Sequence, residues 1–445
     1  MTAPSSATNE ILRKIVHILT VSLALTFRWL PASWAFLLGV LAFIHNVMIF
    51  PKYAPVLFRE NEQMIQGIAI YPLMIALLVL LFPDNLVLAG GAWAILAFGD
   101  GFSSLLGRVW RIAAIPWNPP KSLGGLLSFI IFGTVGTFCI MSFIGPEYSY
   151  QHVLLVAFIA CCVTAVYETL PIAIDDNIVV SLIGAAFLGM LWDVDFRYAD
   201  ESISAGWWGL SLLINLGIAS LALWMQMIST TGALSGAFLG TTILAMGGWS
   251  LYALLVLFFI FATLATKIGY HEKEALGIAQ EDKGRRRAKH AVANGILALL
   301  AVVLYGCSNG AEQYFLIFYC AAIATALGDT VSSEMGQVYG KNPFLPTSFR
   351  RVPPGTVGAI SVEGTLCGMG AVFLLSVVAL LLSVVSVQAF PAVVLGGWFG
   401  FYMESYVGAY WTEEGEDVSN EWMNILNTFL GGTLALIIAY LTGVL

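Results

Sequence analysis

Charge is scarce in this 445-residue chain. Asp, Glu, Lys and Arg make up 10% of it, and 59% is hydrophobic; soluble domains carry about 25% charged residues. Such a chain has too few polar groups to cover its own surface. That excludes a soluble globular protein and leaves lipid as the solvent. The alternating segments of a membrane barrel are also lacking, so the spans are read as α-helices, each satisfying its own backbone. Cysteine is sparse: Cys139, Cys161, Cys162, Cys307, Cys320 and Cys367 lie in or beside apolar runs. None has C-x-x-C spacing, so a zinc site or disulfide framework is not expected. G-x-x-x-x-G-K-[ST], G-x-S-x-G and H-E-x-x-H are missing, which argues against P-loop, elbow-type hydrolase and zincin chemistry. Basic patches interleaved with aromatics are lacking too, so no nucleic-acid partner is expected. Nothing in the sequence speaks to protein partners.

What is there is a series of about fifteen apolar runs of membrane-spanning length. No small-residue cleavage site follows the first run, whose mouth carries Arg13-Lys14, so it reads as a membrane helix and not a removable signal. With the N-terminus inside, all but Arg28 and Arg197 of the 19 Lys and Arg fall on inside segments, as the positive-inside rule requires. The expected protein is an all-α, polytopic, integral membrane protein of two related helical domains. These are residues 1–195 and 207–445, joined by an acidic outside linker, 196–206. The polar clusters considered below gather on the inside, cytoplasmic face.

One stretch occurs twice without a gap. Gly99-Asp100-x-x-Ser103-Ser104-x-x-Gly107 in the first half matches Gly328-Asp329-x-x-Ser332-Ser333-x-x-Gly336 in the second. Each follows a long apolar run, with the span 86–103 expected to end near Gly99. Each precedes a basic, Pro-rich segment: Pro119-Pro120-Lys121-Ser122, and Arg350-Arg351-Val352-Pro353-Pro354. Each half also opens with a cation pair and a histidine, Arg13-Lys14-x-x-His17 and Arg286-Arg287-x-x-His290. Each half has a late polar group as well. In the first it is Glu168 with Asp175-Asp176-Asn177. In the second it is Glu404 followed by Asn420, Asn424 and Asn427, which share one helix face.

Taken singly, these features are ordinary. A Gly-Asp at a helix end is usually a cap, a cation pair at a helix mouth usually sets topology, and a membrane Asn is often helix–helix glue. Together they suit Mg²⁺ and phosphates. Magnesium takes one or two carboxylates plus substrate phosphates, and phosphoryl transfer is catalysed mainly by positioning and charge. A site at a membrane mouth also lets a lipid present its headgroup from the bilayer.

Arg13-Lys14-x-x-His17, Gly99-Asp100-Gly101, Pro116-Trp117-Asn118-Pro119-Pro120-Lys121-Ser122, Glu168-x-x-Pro171 and Asp175-Asp176-Asn177 resemble the phytol kinase and dolichol kinase family over residues 10–195. That family consists of CTP-dependent polyprenol kinases of the membrane. Its usual G-D-G-x-A-(D/E) reads Ser103-Ser104 here, so the second acid is missing from that place. Residues 207–445 resemble the DUF92 membrane proteins, which include phytyl-phosphate kinases. The matching residues are Gly232-Ala233-Leu234, Thr266-Lys267-x-Gly269 with Lys273, Arg286-Arg287 with Asn294-Gly295, Gly328-Asp329 through Glu334 and Gly336, Arg351-Val352-Pro353-Pro354-Gly355, Glu404-Ser405, and Asn420 to Asn427.

The resemblance implies a lipid kinase with two sites. The first would phosphorylate a prenyl alcohol such as phytol with CTP. The second would carry the monophosphate to the diphosphate, as in phytol salvage. Asp100, and Asp329 with Glu334, are the expected Mg²⁺ ligands. Lys121, Lys267, Arg286, Arg287, Arg350 and Arg351, with Arg13, Lys14 and His17, would hold phosphates or substrate. Glu168, Asp175, Asp176, Asn177, Glu404 and the asparagine face would meet nucleotide or headgroup. Asp100 and Asp176 both stand as possible general bases. Two alternatives remain: a CTP:phosphatidate cytidylyltransferase-like enzyme and a secondary transporter. The transporter needs its polar groups near the midplane.

Overall fold

The computed structural model describes residues 6–49, 69–171, 175–194, 204–278, 280, 285–307, 311–414 and 419–445. The protein is built of helices joined by turns and loops, and the sheet among the described residues is one short β-hairpin with a few isolated bridges. Nine described helices are long and apolar enough to cross a membrane, and three shorter ones are also apolar. This is an all-α polytopic membrane protein. The chain divides into two compact units, Met1–Asp193 and Val194–Leu445.

In the first unit, α1 (Ser6–Thr20) leads through a 3₁₀ segment into α2 (Ala32–Met48), then α3 (Ile70–Leu81) and α4 (Leu86–Leu106). A hairpin of β1 (Ala114–Ile115) and β2 (Asn118–Ser122) precedes α5 (Leu123–Ile144), α6 (Tyr150–Glu168) and α7 (Asp176–Trp192). Side-chain caps mark several helix starts: Asn85, Ser122 and Asp175 accept from Val87, Gly125 and Asn177 backbone N–H groups. Each cap satisfies a donor that the helix itself leaves unpaired. Helices α4 to α7 form a closed four-helix group, α7 returning to pack on α4.

The second unit begins with α8 (Ala205–Trp224) and α9 (Thr230–Lys267). Gly248 breaks α9 with φ 70 and ψ −172. The chain doubles back there: a Cβ on Gly240 would touch the Asn215 amide and lie 3.4 Å from the Tyr252 ring, a closeness impossible along one straight helix. The stretches on either side of Gly248 are thus two arms of one hairpin. A single turn, α10 (Tyr270–Ala275), follows, then α11 (Ala288–Cys307), α12 (Glu312–Tyr339), α13 (Val362–Leu381), α14 (Phe390–Glu414) and α15 (Asn420–Leu441). Helices α12 to α15 repeat the closed group of α4 to α7, with α15 packing back on α12.

The repeated stretch sits differently from the sequence expectation. Gly99-Asp100 lies inside α4 and Gly328-Asp329 inside α12, neither at a helix end. In α4 the residues Ile95–Asp100 form a π turn, an insertion found often at functional sites. The glycines serve close packing and not chain reversal. A Cβ on Gly99 would sit 2.6 Å from the Phe129 ring, and one on Gly328 2.5 Å from Val372. The next repeat position does the same job in both units: Gly107 and Gly336 leave room for Gly125 and Gly364 in the first turns of α5 and α13. Ser122 and Ser361 cap those turns.

Candidate functional site

In the first unit the π turn brings Asp100 to the mouth of the four-helix group. Its carboxylate is buried, 3% exposed. Lys14 of α1 meets Asp100 Oδ2 at 2.6 Å, and His17, one turn on, lies 3.8 Å from the same oxygen. Gly101 permits this, because a Cβ there would meet Ile18 at 2.5 Å and push α1 away. Tyr71 of α3 anchors α1 from behind. Its hydroxyl donates to the His17 carbonyl at 3.0 Å and accepts from Trp93 Nε1 at 2.7 Å.

The basic hairpin folds over the same mouth. Trp117 Nε1 donates to Thr169 Oγ1 and Asn118 Nδ2 to the Thr169 carbonyl, both at 2.9 Å. This pins the hairpin to the end of α6. Lys121 is thereby placed with Nζ 2.8 Å from Glu168 Oε1 and 4.0 Å from Asp176 Oδ2, and it also donates to the Glu168 carbonyl. Burial works against the Lys121 charge. Glu168 and Asp176 outweigh it and hold the ammonium above the ordinary lysine pKa. Asp100, Glu168 and Asp176 offer ligand oxygens that all lie within 4.8 Å of one another. Three helices, α4, α6 and α7, each supply one carboxylate. The acid missing next to Ser103-Ser104 is supplied from elsewhere in the fold. Ser103 donates to the Asp100 carbonyl and Ser104 to its carboxylate, at 3.0 and 3.4 Å.

In the second unit Asp329 is again buried, with Glu404 of α14, Arg286 and Asn427 as its neighbours. A polar cavity of about 570 Å³ opens on it, lined also by Glu334, Lys289, His290, Asn294, Asn420 and Asn424. Arg286 is 8% exposed and donates to the Ala262 carbonyl and Thr266 Oγ1, at 3.2 and 3.4 Å, while its Nε has no partner among the described residues. Burial lowers the Arg286 pKa, opposed by Glu334 and Asp329. Asn294 Oδ1, Glu334 Oε1 and both amide atoms of Asn427 are likewise buried outside hydrogen-bond geometry. Buried polar atoms in such numbers are costly unless something else completes them.

The other expected residues are spread out. Asp175 caps α7, and Asn177 Nδ2 donates back to it at 2.7 Å. Arg13 is half-buried on α1. Lys267, Arg350 and Arg351 are exposed and do not line the polar cavity. Glu334 is engaged by Lys273, at 2.6 Å. That buried lysine had no expected role, although it stands in a quoted motif. Tyr71, Trp93 and Thr169 were not singled out either. Their signal is only that polar or amphipathic groups occur in otherwise apolar helices, and many such groups are plain packing.

A family model described as integral membrane protein DUF92 matches residues 213–432. The chain is 33% identical over 238 residues to an uncharacterized membrane protein (sll0875) of Synechocystis, covering 53% of this chain and 92% of that one. It is 33% identical over 216 residues to the chloroplastic protein VTE6 of Arabidopsis thaliana, 47% of this chain and 65% of the other. To chloroplastic phytol kinase 1 of the same plant it is 28% identical over 202 residues, 40% and 65% of the two chains. No solved structure matches.

Proposed function

Through residues 213–432 the chain belongs to the DUF92 family of integral membrane proteins, and on that premise we propose that it is a two-site membrane kinase of prenyl lipids. The first unit phosphorylates a phytol-like alcohol, and the second phosphorylates the monophosphate, with CTP as donor at the cytoplasmic face. Relatives named phytol kinase support the lipid class. The observation that carries the reading is the convergence of Asp100, Glu168 and Asp176 with Lys14 and Lys121 at one helix mouth.

Three carboxylate oxygens within 4.8 Å form a hard donor set that fits Mg²⁺. When bound, Mg²⁺ would be held by Asp100 and Glu168 and would neutralise phosphate charge, with Asp176 left beside them as a base. The chain's own groups do the rest. Lys14 and Lys121 are poised to pass from carboxylate to phosphate oxygens as the nucleotide enters. The alcohol oxygen bonds to the γ-phosphorus, the bond to the β-phosphate oxygen breaks, and the nucleoside diphosphate leaves. The hydroxyl proton goes to Asp176, the most exposed of the three acids and 4.0 Å from a lysine, whereas Asp100 is tied to Lys14 at 2.6 Å.

The second cavity suits a different acceptor. A phosphomonoester is already an anionic nucleophile and needs no base. Its negative charge needs donors, and Arg286, Lys289, His290, Asn294, Asn420 and Asn424 offer them. Asp329 and Glu404 are the carboxylates available there for a cation. The test is purified full-length protein with γ-labelled CTP or ATP and either phytol or phytyl monophosphate. Asp176→Asn should lower the alcohol step at least about 100-fold and spare the second. Asp329→Asn should do the reverse. If Asp329→Asn leaves diphosphate formation intact, the second assignment is wrong. If no lipid is labelled with any nucleotide or metal, the kinase reading fails.

A further inference from the structure

A second, apolar cavity of about 130 Å³ lies between α8, the α9 hairpin and α11. Its walls are built from small and aromatic residues, among them Ala222, Ala233, Gly236 and Phe259. One end is capped by Arg286, Arg287 and His290. Arg286 and His290 also line the polar cavity that holds Asp329 and Glu404. The two spaces therefore meet at the same two side chains. At that seam the Arg286 Nε, on a side chain more than nine-tenths buried, lacks a partner among the described residues. The other nitrogen with a described bond is spent on the Ala262 carbonyl and Thr266. The far rim is open: Ile218 lines the cavity and is 40% exposed.

We infer that this groove seats the isoprenoid chain of a prenyl monophosphate, with the phosphate at Arg286 and Arg287 and its free oxygens directed into the polar cavity. An apolar slot ending in two guanidinium groups is complementary to one hydrocarbon chain bearing one anionic head. The cavity is small, about 130 Å³, and suits part of one hydrocarbon chain better than the two chains of a phospholipid. Glycine and alanine keep it open. A Cβ on Gly236 meets nothing within 4 Å, so this position faces free space, whereas a Cβ on Gly232 or Gly240 would collide with Arg286 or Asn215. This assignment deepens the second-site reading and rests on it.

Gly236→Phe is the discriminating variant, because it sets a ring on the exposed side of the groove wall without a backbone collision. Equilibrium binding of phytyl monophosphate, and separately of CTP, would be measured on full-length protein in detergent, with phosphatidic acid as competitor. The expected result is at least about tenfold weaker phytyl monophosphate binding, with CTP binding and the unfolding temperature retained. Unchanged binding in Gly236→Phe would overturn the inference, as would wild-type protein that binds phosphatidic acid as well as phytyl monophosphate. If the groove binds as expected and no phosphate is transferred, the kinase reading falls and the groove stands.

Discussion

Lys273 and Glu334 are held 2.6 Å apart with 1% and 4% of their side chains exposed. Removing one partner from so buried a pair leaves an uncompensated charge, so Lys273→Met should destabilise the protein by about 3–5 kcal/mol. Lys273→Met with Glu334→Leu should recover most of that, read by thermal unfolding in detergent. The family resemblance implied Glu334, with Asp329, as a metal ligand. Five residues along a helix carry a side chain about 140° round, and Lys273, far off in sequence, is what it reaches. Separation along the chain also hid the carboxylate set of the first unit, because Asp100, Glu168 and Asp176 come from three helices. A cation test follows from that set. Mg²⁺ should stabilise wild type by about 2.7 kcal/mol at a hundredfold excess over Kd, read as a rise in unfolding temperature, and the rise should vanish in Glu168→Gln. Lys121 adds a pH test. Its pKa is raised in the fold, so its contribution is fully present below the ordinary value near 10.4 and is lost as pH rises through the higher folded value. The gap in unfolding temperature between wild type and Lys121→Met should hold steady from about pH 7 to 9 and shrink above about pH 10.4.

At the scale of elements, helix positions were legible because long apolar runs broken by Gly, Pro and charge admit few other readings in lipid. The reversal of the chain at Gly248 was not legible. With φ 70 and ψ −172 the position suits glycine alone, and Gly248→Ala should cost roughly 1–3 kcal/mol. Thermal unfolding checks this, with Gly236→Ala as the unstrained comparison. What sequence reading missed is that Gly-Asp continues a helix. A Gly-Asp pair ordinarily signals a cap or turn, and only the packing of Phe129 and Val372 against the bare glycines reveals the other use. The π turn at Ile95–Asp100 was equally hidden, since apolar periodicity does not register one inserted residue.

For the molecule as a whole, the gapless repeat reads as two related units, and the structure has a closed four-helix group around Asp100 and another around Asp329. The repeat did not announce that the two would be furnished differently, with clustered carboxylates in one and a cation- and amide-lined cavity in the other. That difference predicts separable defects. Asp100→Asn protein should still convert supplied phytyl monophosphate, and Asp329→Asn protein should accumulate it from phytol, as chromatography of the labelled lipids will resolve. The open rim of the α8–α9 groove at Ile218 carries one more consequence. A substrate that enters sideways from a film is counted per unit of surface. Diluting phytyl monophosphate with inert detergent, at constant bulk concentration, should therefore slow the second step in proportion to its mole fraction in the micelle.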